Sequence, residues 1–337
     1  MPDSSPPIVV APVLTGDEAA LNRAAVRATS DLFLSTAEVA ASLAGDDLNL
    51  GVIWVTVVER SARRAQRSPE KWSAYVRSGK VLPDEGRPPI SVYAISHLLG
   101  FPYETTRRGV GRLISLGMLA KVRKGVIAPA AFMDSAKVRA ANLELQTRLR
   151  RWLIALDRLG LVRLGGGAAG LWPGLAEPSP AGVIDPYVDE ARRKYSRLTL
   201  GFTIEAGRIV AGLAGGNLLR GVLMVAIVQA NVGRLSADSA LSQQFGDYLH
   251  PPPDAIRRPI SIFALAQSLH LPYETVRRNV IQMVEDGLVE RGRQGVTVPT
   301  AVVMTQDIVE ASAASHNLFK SFIGALAASG LDIALAK

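Results

Sequence analysis

The sequence predicts a mainly α-helical protein with small β-hairpins. It is laid out as two tandem repeats flanked by long helices and related by a pseudo-two-fold internal duplication. Three observations lead there. The run Pro-Tyr-Glu-Thr-Thr-Arg-Arg at residues 102–108 recurs as Pro-Tyr-Glu-Thr-Val-Arg-Arg at 272–278, an offset of 170 residues. Around that run, residues 89–129 and 259–299 align without a gap, and 17 of 41 positions are identical. Outside it, long Ala- and Leu-rich stretches carry apolar residues at spacings of three and four, the mark of helices with one buried face.

The same offset extends in both directions. Upstream, Ala41, Leu43, Gly45, Leu48, Gly51 and Val55 match Ala211, Leu213, Gly215, Leu218, Gly221 and Val225. Downstream, Trp152, Leu156, Gly160 and Leu161 face Phe322, Leu326, Gly330 and Leu331, with small compensating gaps allowed after Pro299. The repeats therefore run over 17–161 and 187–337, too long for a solenoid unit and read as a tandem domain duplication. Residues 1–16 read as a disordered tail, since no basic start precedes an apolar run as in a targeting signal. Residues 162–186 hold Gly-Gly-Gly-Ala-Ala-Gly and then Pro173, Pro178 and Pro180, which break helix and strand alike and predict a linker.

Within each repeat the elements follow in order. Residues 17–44 and 187–214 predict a first long helix. Asp46 or Asp47 caps a second, from Leu48 to about residue 67, whose first half is almost wholly apolar and therefore buried. Its counterpart runs from Leu218 to about residue 234. A Pro-containing irregular stretch follows, and Ile90-Ser91-Val92 is a short strand or a helix lead-in. Residues 93–99 form a short helix, Gly100-Phe101-Pro102 turns the chain, and residues 103–116 form a second helix ended by Gly117, where a left-handed cap suits glycine. Residues 263–269, 270–272 and 273–286 with Gly287 repeat this arrangement. Two short helices about a three-residue turn make a helix-turn-helix. The strand-like residues 118–123 and 126–128, joined through Lys124-Gly125, make a basic-tipped hairpin, matched by the tip at 292–295. Helix-turn-helix plus hairpin predicts a winged helix in each repeat, with cores at 89–129 and 259–299.

On the second short helix, Thr106, Val110, Leu113 and Ile114 face the core, as do Val276, Val280, Met283 and Val284. The opposite face carries the candidate base-reading residues Tyr103, Glu104, Thr105 and Arg108, and in the second repeat Tyr273, Glu274, Thr275 and Arg278. Arg grips guanine O6 and N7 bidentately and Glu accepts from the cytosine amino group, both from the first turns of a helix in the major groove. Candidate phosphate and wing contacts are Arg107, Arg112, Lys121, Arg123, Lys124, Arg277, Arg291 and Arg293. Two alternatives stay open: the tyrosines pack on their own wings, or the two glutamates simply favour the positive end of their helix.

The shared PYETxRRxV run resembles the recognition helix of Crp/Fnr-type regulators. The resemblance implies base reading by Glu104 and Arg108 and by Glu274 and Arg278, while Tyr103 and Tyr273 stand where that family often has Arg. It covers about 40 residues per repeat, and no cyclic-nucleotide β-roll precedes it. The layout of long helices around a winged helix is similar to MarR-type regulators, apart from an insertion between Arg64 and Pro89. That likeness implies helices that join two readers into one body.

Composition narrows the remaining classes. The formal net charge of +8, from 38 basic and 30 acidic residues, favours an anionic partner, here double-stranded DNA. With no Cys and four His there is no disulfide, no thiolate site and no ligand spacing for a metal, and neither a Walker loop nor a GxSxG elbow occurs. An enzyme is the least favoured class and no cofactor is expected. The apolar stretch 198–232 is interrupted by Glu205, Arg208 and Arg220 and so predicts no membrane span. The basic runs at 60–67 and 192–197 read as solvated helix faces. The long helices either bury one another or enclose a pocket for a small-molecule effector.

The expectation is a cytoplasmic, nucleoid-associated transcription regulator acting as a fused dimer. It is a monomer with pseudo-dimeric repeats or a homodimer, and binds half-sites about one helical turn apart, roughly 34 Å, in inverted order. A replication-initiator-like role on direct repeats, a chromosome-organising role and a protein-interaction module are the alternatives.

Overall fold

A computed structural model describes residues 23–65, 81–166, 186–237, 245 and 251–336, so the predicted tail and most of the predicted linker lie outside the described residues. The chain is mainly helical, with small antiparallel strand pairs. The first half runs α1 (Arg23–Leu43), α2 (Leu48–Ala65), a 3-10 turn (Asp84–Gly86), α3 (Val92–Leu99), α4 (Tyr103–Ser115), β1 (Ala120–Val122), β2 (Gly125–Ile127), α5 (Ala130–Met133), α6 (Ala136–Arg158) and β3 (Val162–Leu164). The second half runs α7 (Pro186–Gly212), α8 (Leu218–Ala237), a 3-10 turn (Asp254–Ile256), α9 (Ile262–Ser268), α10 (Tyr273–Glu285), β4 (Glu290–Gly292), β5 (Gly295–Thr297), α11 (Thr300–Val303), α12 (Gln306–Ala328) and β6 (Ile333–Leu335).

The order of elements is therefore the same twice. From the 3-10 turn to the end of α12 the offset stays at 170, so the gaps allowed after Pro299 are not used. Val162–Leu164, placed in the linker by sequence, are instead strand. Gly and Pro punctuation begins just after them, and the pairing partner is remote in sequence. β3 pairs antiparallel with β6, with Val162 opposite Leu335 and Leu164 opposite Ile333.

Local chemistry accounts for the boundaries. The Asp47 side chain accepts from the Leu50 amide at 3.1 Å and caps α2, while Asn217 does the same for Arg220 at the start of α8. Asp46 takes a left-handed conformation (φ 62°), so Asp47 is the cap. Ser91 and Ser261 cap α3 and α9 through the amides of Ala94 and Ala264, both at 3.1 Å. Ile90 and Ile260 each add a single bridge to their hairpin, opposite Val126 and Val296.

The long helices do not sort by repeat. α1 touches α6 of its own half and α7 and α12 of the other, and α7 touches α1, α2, α6 and α12. Their shared core contains Phe33, Leu149 and Leu153 beside Phe202, Phe319, Phe322 and Ile323. Trp152 lies at its centre. Its Nε1 donates to the Ala28 carbonyl at 2.8 Å, and its ring meets Phe202, Phe319 and Phe322. Buried polar bonds cross between the halves, Thr36 to Thr203 at 2.8 Å and Gln146 to Ser196 at 3.3 Å. Each helix leaves one apolar face uncovered by its own repeat, and burying those faces together removes the most apolar area from water.

Two sequence expectations change here. Over Leu218–Leu235, α8 is long and apolar enough to cross a membrane by length and composition, and half of that stretch is buried inside the fold. Arg220 lies near the helix start, pairing with Asp286 at 3.0 Å, so it does not interrupt the run. Within the basic runs, Arg60, Lys194 and Arg197 are half-buried rather than solvated, and Lys194 donates to the Ser329 carbonyl at 2.9 Å. Arg67 lies outside the described residues.

Candidate nucleic-acid interface

Helix α4 buries Thr106, Val110 and Leu113, and α10 buries Val276, Val280 and Met283, all at 3% exposure or less. That spacing of three and four turns the remaining residues outward. Tyr103, Glu104, Thr105, Arg107 and Arg108 are exposed on α4. On α10, Tyr273, Glu274 and Arg278 are exposed while Thr275 and Arg277 are half-buried. The tyrosines retain 52% and 47% exposure, so neither is packed away beneath its hairpin.

One Glu–Arg pair on this face is made alike in both helices. Arg107 Nε and Nη2 donate to Glu104 at 2.8 and 2.7 Å, and Arg277 donates to Glu274 at the same two distances. Arg108 Nε lies 3.4 Å from Glu104 with 74% of its side chain exposed. The hydrogen bond from Arg107 holds the Glu104 carboxyl below its ordinary range and raises the guanidinium, and Arg277 acts the same way on Glu274. The two glutamates therefore present occupied oxygens. Each of those oxygens keeps a second lone pair and can still accept from a further donor, and Arg108 and Arg278 stand exposed beside them.

The hairpins place the remaining cations. Val122 opposite Gly125 leaves Arg123 and Lys124 as a two-residue tip, and Gly292 opposite Gly295 leaves Arg293 and Gln294. Lys121, Arg123, Lys124, Arg291 and Arg293 are all exposed. Gly125 and Gly295 share φ 143°, and a Cβ on either would collide with the Ile90 or Ile260 carbonyl, so only glycine lets the strand lie this close. Arg112 differs from the expectation: its Nη1 is 3.5 Å from Asp47, which directs it toward the α2 cap.

The two helices differ at one position near their supports. Gly109 faces Ile53 and Leu50 of α2, and a Cβ there would lie 2.6 Å from Ile53 Cδ1. Its counterpart Asn279 instead returns its amide to the Thr275 carbonyl at 2.8 Å. The sequence showed the exchange without its consequence, because only the crossing of α4 over α2 gives the missing side chain a meaning.

Sequence reasoning also missed a brace. Arg87 and Arg257 are 8% and 6% exposed and donate from Nε to the Leu82 and Pro252 carbonyls at 2.8 and 3.1 Å. Burial, set against the nearby Asp254 carboxylate, lowers the Arg257 guanidinium. Asp84 and Asp254 accept from the amides of Ala130 and Thr300 at 2.6 and 2.8 Å, tying the 3-10 turn to the chain leaving each hairpin. The signal was available as Pro-Asp-x-x-Arg at 83–87 and 253–257. Tyr93 and Phe263, 72% and 60% exposed at equivalent places, also escaped notice beyond opening a helix.

Two cavities bear on the expected effector. One of about 420 Å³ lies between α1 and the short helices of the second half and is lined by Glu38, Gln229, Leu269 and His270 among others. Another, of about 140 Å³, is walled by Leu213, Met224, Val228 and Ile308, with Arg27 at its edge. Comparison of the chain with known protein families, curated proteins and solved structures finds no match.

Proposed function

We propose that this chain is a sequence-specific double-stranded DNA-binding regulator, made of two winged helices duplicated in tandem and acting as a fused dimer. One observation carries the reading: α4 and α10 offer the same outward-facing array, an Arg fork beside a Glu–Arg pair, each flanked by a basic hairpin tip. A helix with such a first turn fits the major groove, where guanine offers two acceptors to one guanidinium, while hairpin cations reach phosphates. Arg108 and Arg278 are the base readers in this scheme. Glu104 and Glu274 fix Arg107 and Arg277 and keep the acceptor capacity to take a cytosine amino hydrogen as well.

The antiparallel pairing of β3 with β6, one strand from each half, supports inverted rather than direct half-sites, since a two-fold relation makes equivalent strands antiparallel. The core shared by both halves supports action as one chain.

The test is site selection followed by fluorescence anisotropy on the selected duplex. Arg108→Ala with Arg278→Ala removes one bidentate contact per half-site, each worth about 1–3 kcal/mol of discrimination. Sequence preference should collapse while weak, salt-sensitive binding persists. A double variant that kept the preference would show that other residues read the bases. A flat salt profile for the unaltered protein would remove DNA as the partner.

A further inference from the structure

The two readers are alike at the start of α4 and α10 and differ one turn later, where Gly111 stands opposite Ile281 in the repeat. Ile281 follows Arg278 by three residues, Arg277 by four and Glu274 by seven, so all four share one helix face. It is half-buried and lies outside the apolar core that Val276, Val280 and Met283 join. Gly111 is exposed, and a Cβ there would meet nothing within 4 Å. The neighbouring position diverges as well: Arg112 approaches Asp47, whereas Gln282 donates to Asp286 at 3.2 Å. At the hairpin tips Lys124 becomes Gln294. The first reader thus carries more charge and a bare backbone, and the second carries less charge and an apolar side chain among its base-facing residues.

In the major groove the one apolar landmark is the thymine 5-methyl group, and an aliphatic side chain on the reading helix recognises it by excluding water from both surfaces. We propose that Ile281 reads a thymine methyl in the half-site bound by the second repeat, and that the first repeat is indifferent at the matching base. The operator then has a polarity, and the protein binds it in one orientation. This rests on the DNA-reading function proposed above.

The experiment uses the full chain and a selected duplex in which single thymines are replaced by deoxyuridine, which deletes the methyl and keeps the hydrogen bonds. Burying one carbon group contributes about 0.8 kcal/mol, so one uracil in the second half-site should weaken binding about four-fold. Uracil at the mirrored position of the first half-site should change nothing. Ile281→Ala should erase the four-fold difference, so that the thymine and uracil duplexes bind alike, and Gly111→Ile should create the same sensitivity in the first half-site. Ile281 is half-buried, so a thermal melt of Ile281→Ala beside each binding curve separates a folding loss from a reading loss. Equal uracil sensitivity in both halves, or sensitivity that survives Ile281→Ala, overturns the inference and leaves the base-reading function standing. Selection that returns no consensus overturns both.

Discussion

Replacing Trp152 by alanine asks whether the two repeats fold as one body. The side chain is 8% exposed, and it belongs to α6 of the first half. The three rings around it, Phe202, Phe319 and Phe322, belong to α7 and α12 of the second, with centroids 6.5, 6.0 and 5.9 Å away. Removing a large aromatic from such a site costs about 3–5 kcal/mol. Against a total of roughly 5–15 kcal/mol for a folded domain, that is a large fraction. Trp152→Phe keeps a ring but gives up the bond to the Ala28 carbonyl, for a smaller loss of about 1 kcal/mol plus a partial void. Guanidinium unfolding followed by circular dichroism gives the ranking, and hydrogen exchange reads α4 and α10 separately. Both helices should lose protection together in the alanine variant, within one cooperative transition. If α10 kept its original protection while α4 lost it, the claim of a shared core would be wrong.

Three further outcomes follow from local geometry. Gly125→Ala and Gly295→Ala should each destabilise by on the order of 1–3 kcal/mol, because φ 143° and the Ile90 or Ile260 carbonyl both oppose a side chain; thermal melts check this. Gly109→Ala should stabilise by less than the roughly 1 kcal/mol of helix propensity it gains, because the new Cβ must displace the terminal methyl of Ile53, and Asn279→Ala should change stability by no more than about 0.5 kcal/mol; the same denaturant assay checks both. The Glu104 and Glu274 carboxyls, held ionised by Arg107 and Arg277, should titrate by NMR below the ordinary 4.5. Their pairing with Arg is thus present above that midpoint and lost as pH falls through it. Arg107→Ala should return Glu104 toward the ordinary value, and a Glu104 midpoint unmoved by that change would deny the pairing.

The parts of the fold written in short-range patterns were legible in the sequence. Helices α3 and α4 lie within a residue of their expected limits, α4 because Gly117 is a local stop signal, and the buried face of α4 follows from spacing alone, whereas the start cap at Ser91 was read only as a strand or helix lead-in. The first hairpin was read one residue late, because Gly125 already belongs to the second strand and the tip is Arg123-Lys124 rather than Lys124-Gly125. What escaped is what depends on distant partners. β3 reads as linker until β6 is set beside it, and nothing in Val162-Arg163-Leu164 names that partner. The Glu104–Arg107 pair was not read from the sequence, because a spacing of three does not by itself show that two guanidinium nitrogens meet both carboxylate oxygens. The buried Arg87 and Arg257 contradict the usual placement of arginine at the surface, so composition pointed the wrong way.

The strand pair that closes the far ends of α6 and α12 has a consequence for how such a protein responds to its own abundance. Two separate chains must first meet, so occupancy of a paired target falls off with the square of their concentration when they are scarce. Here Val162–Leu164 and Ile333–Leu335 belong to one chain, so bringing these two strands together is a unimolecular event whose extent does not depend on chain concentration. A single chain can also carry different residues at matching positions of its two halves, as at Gly109 and Asn279, which identical subunits cannot.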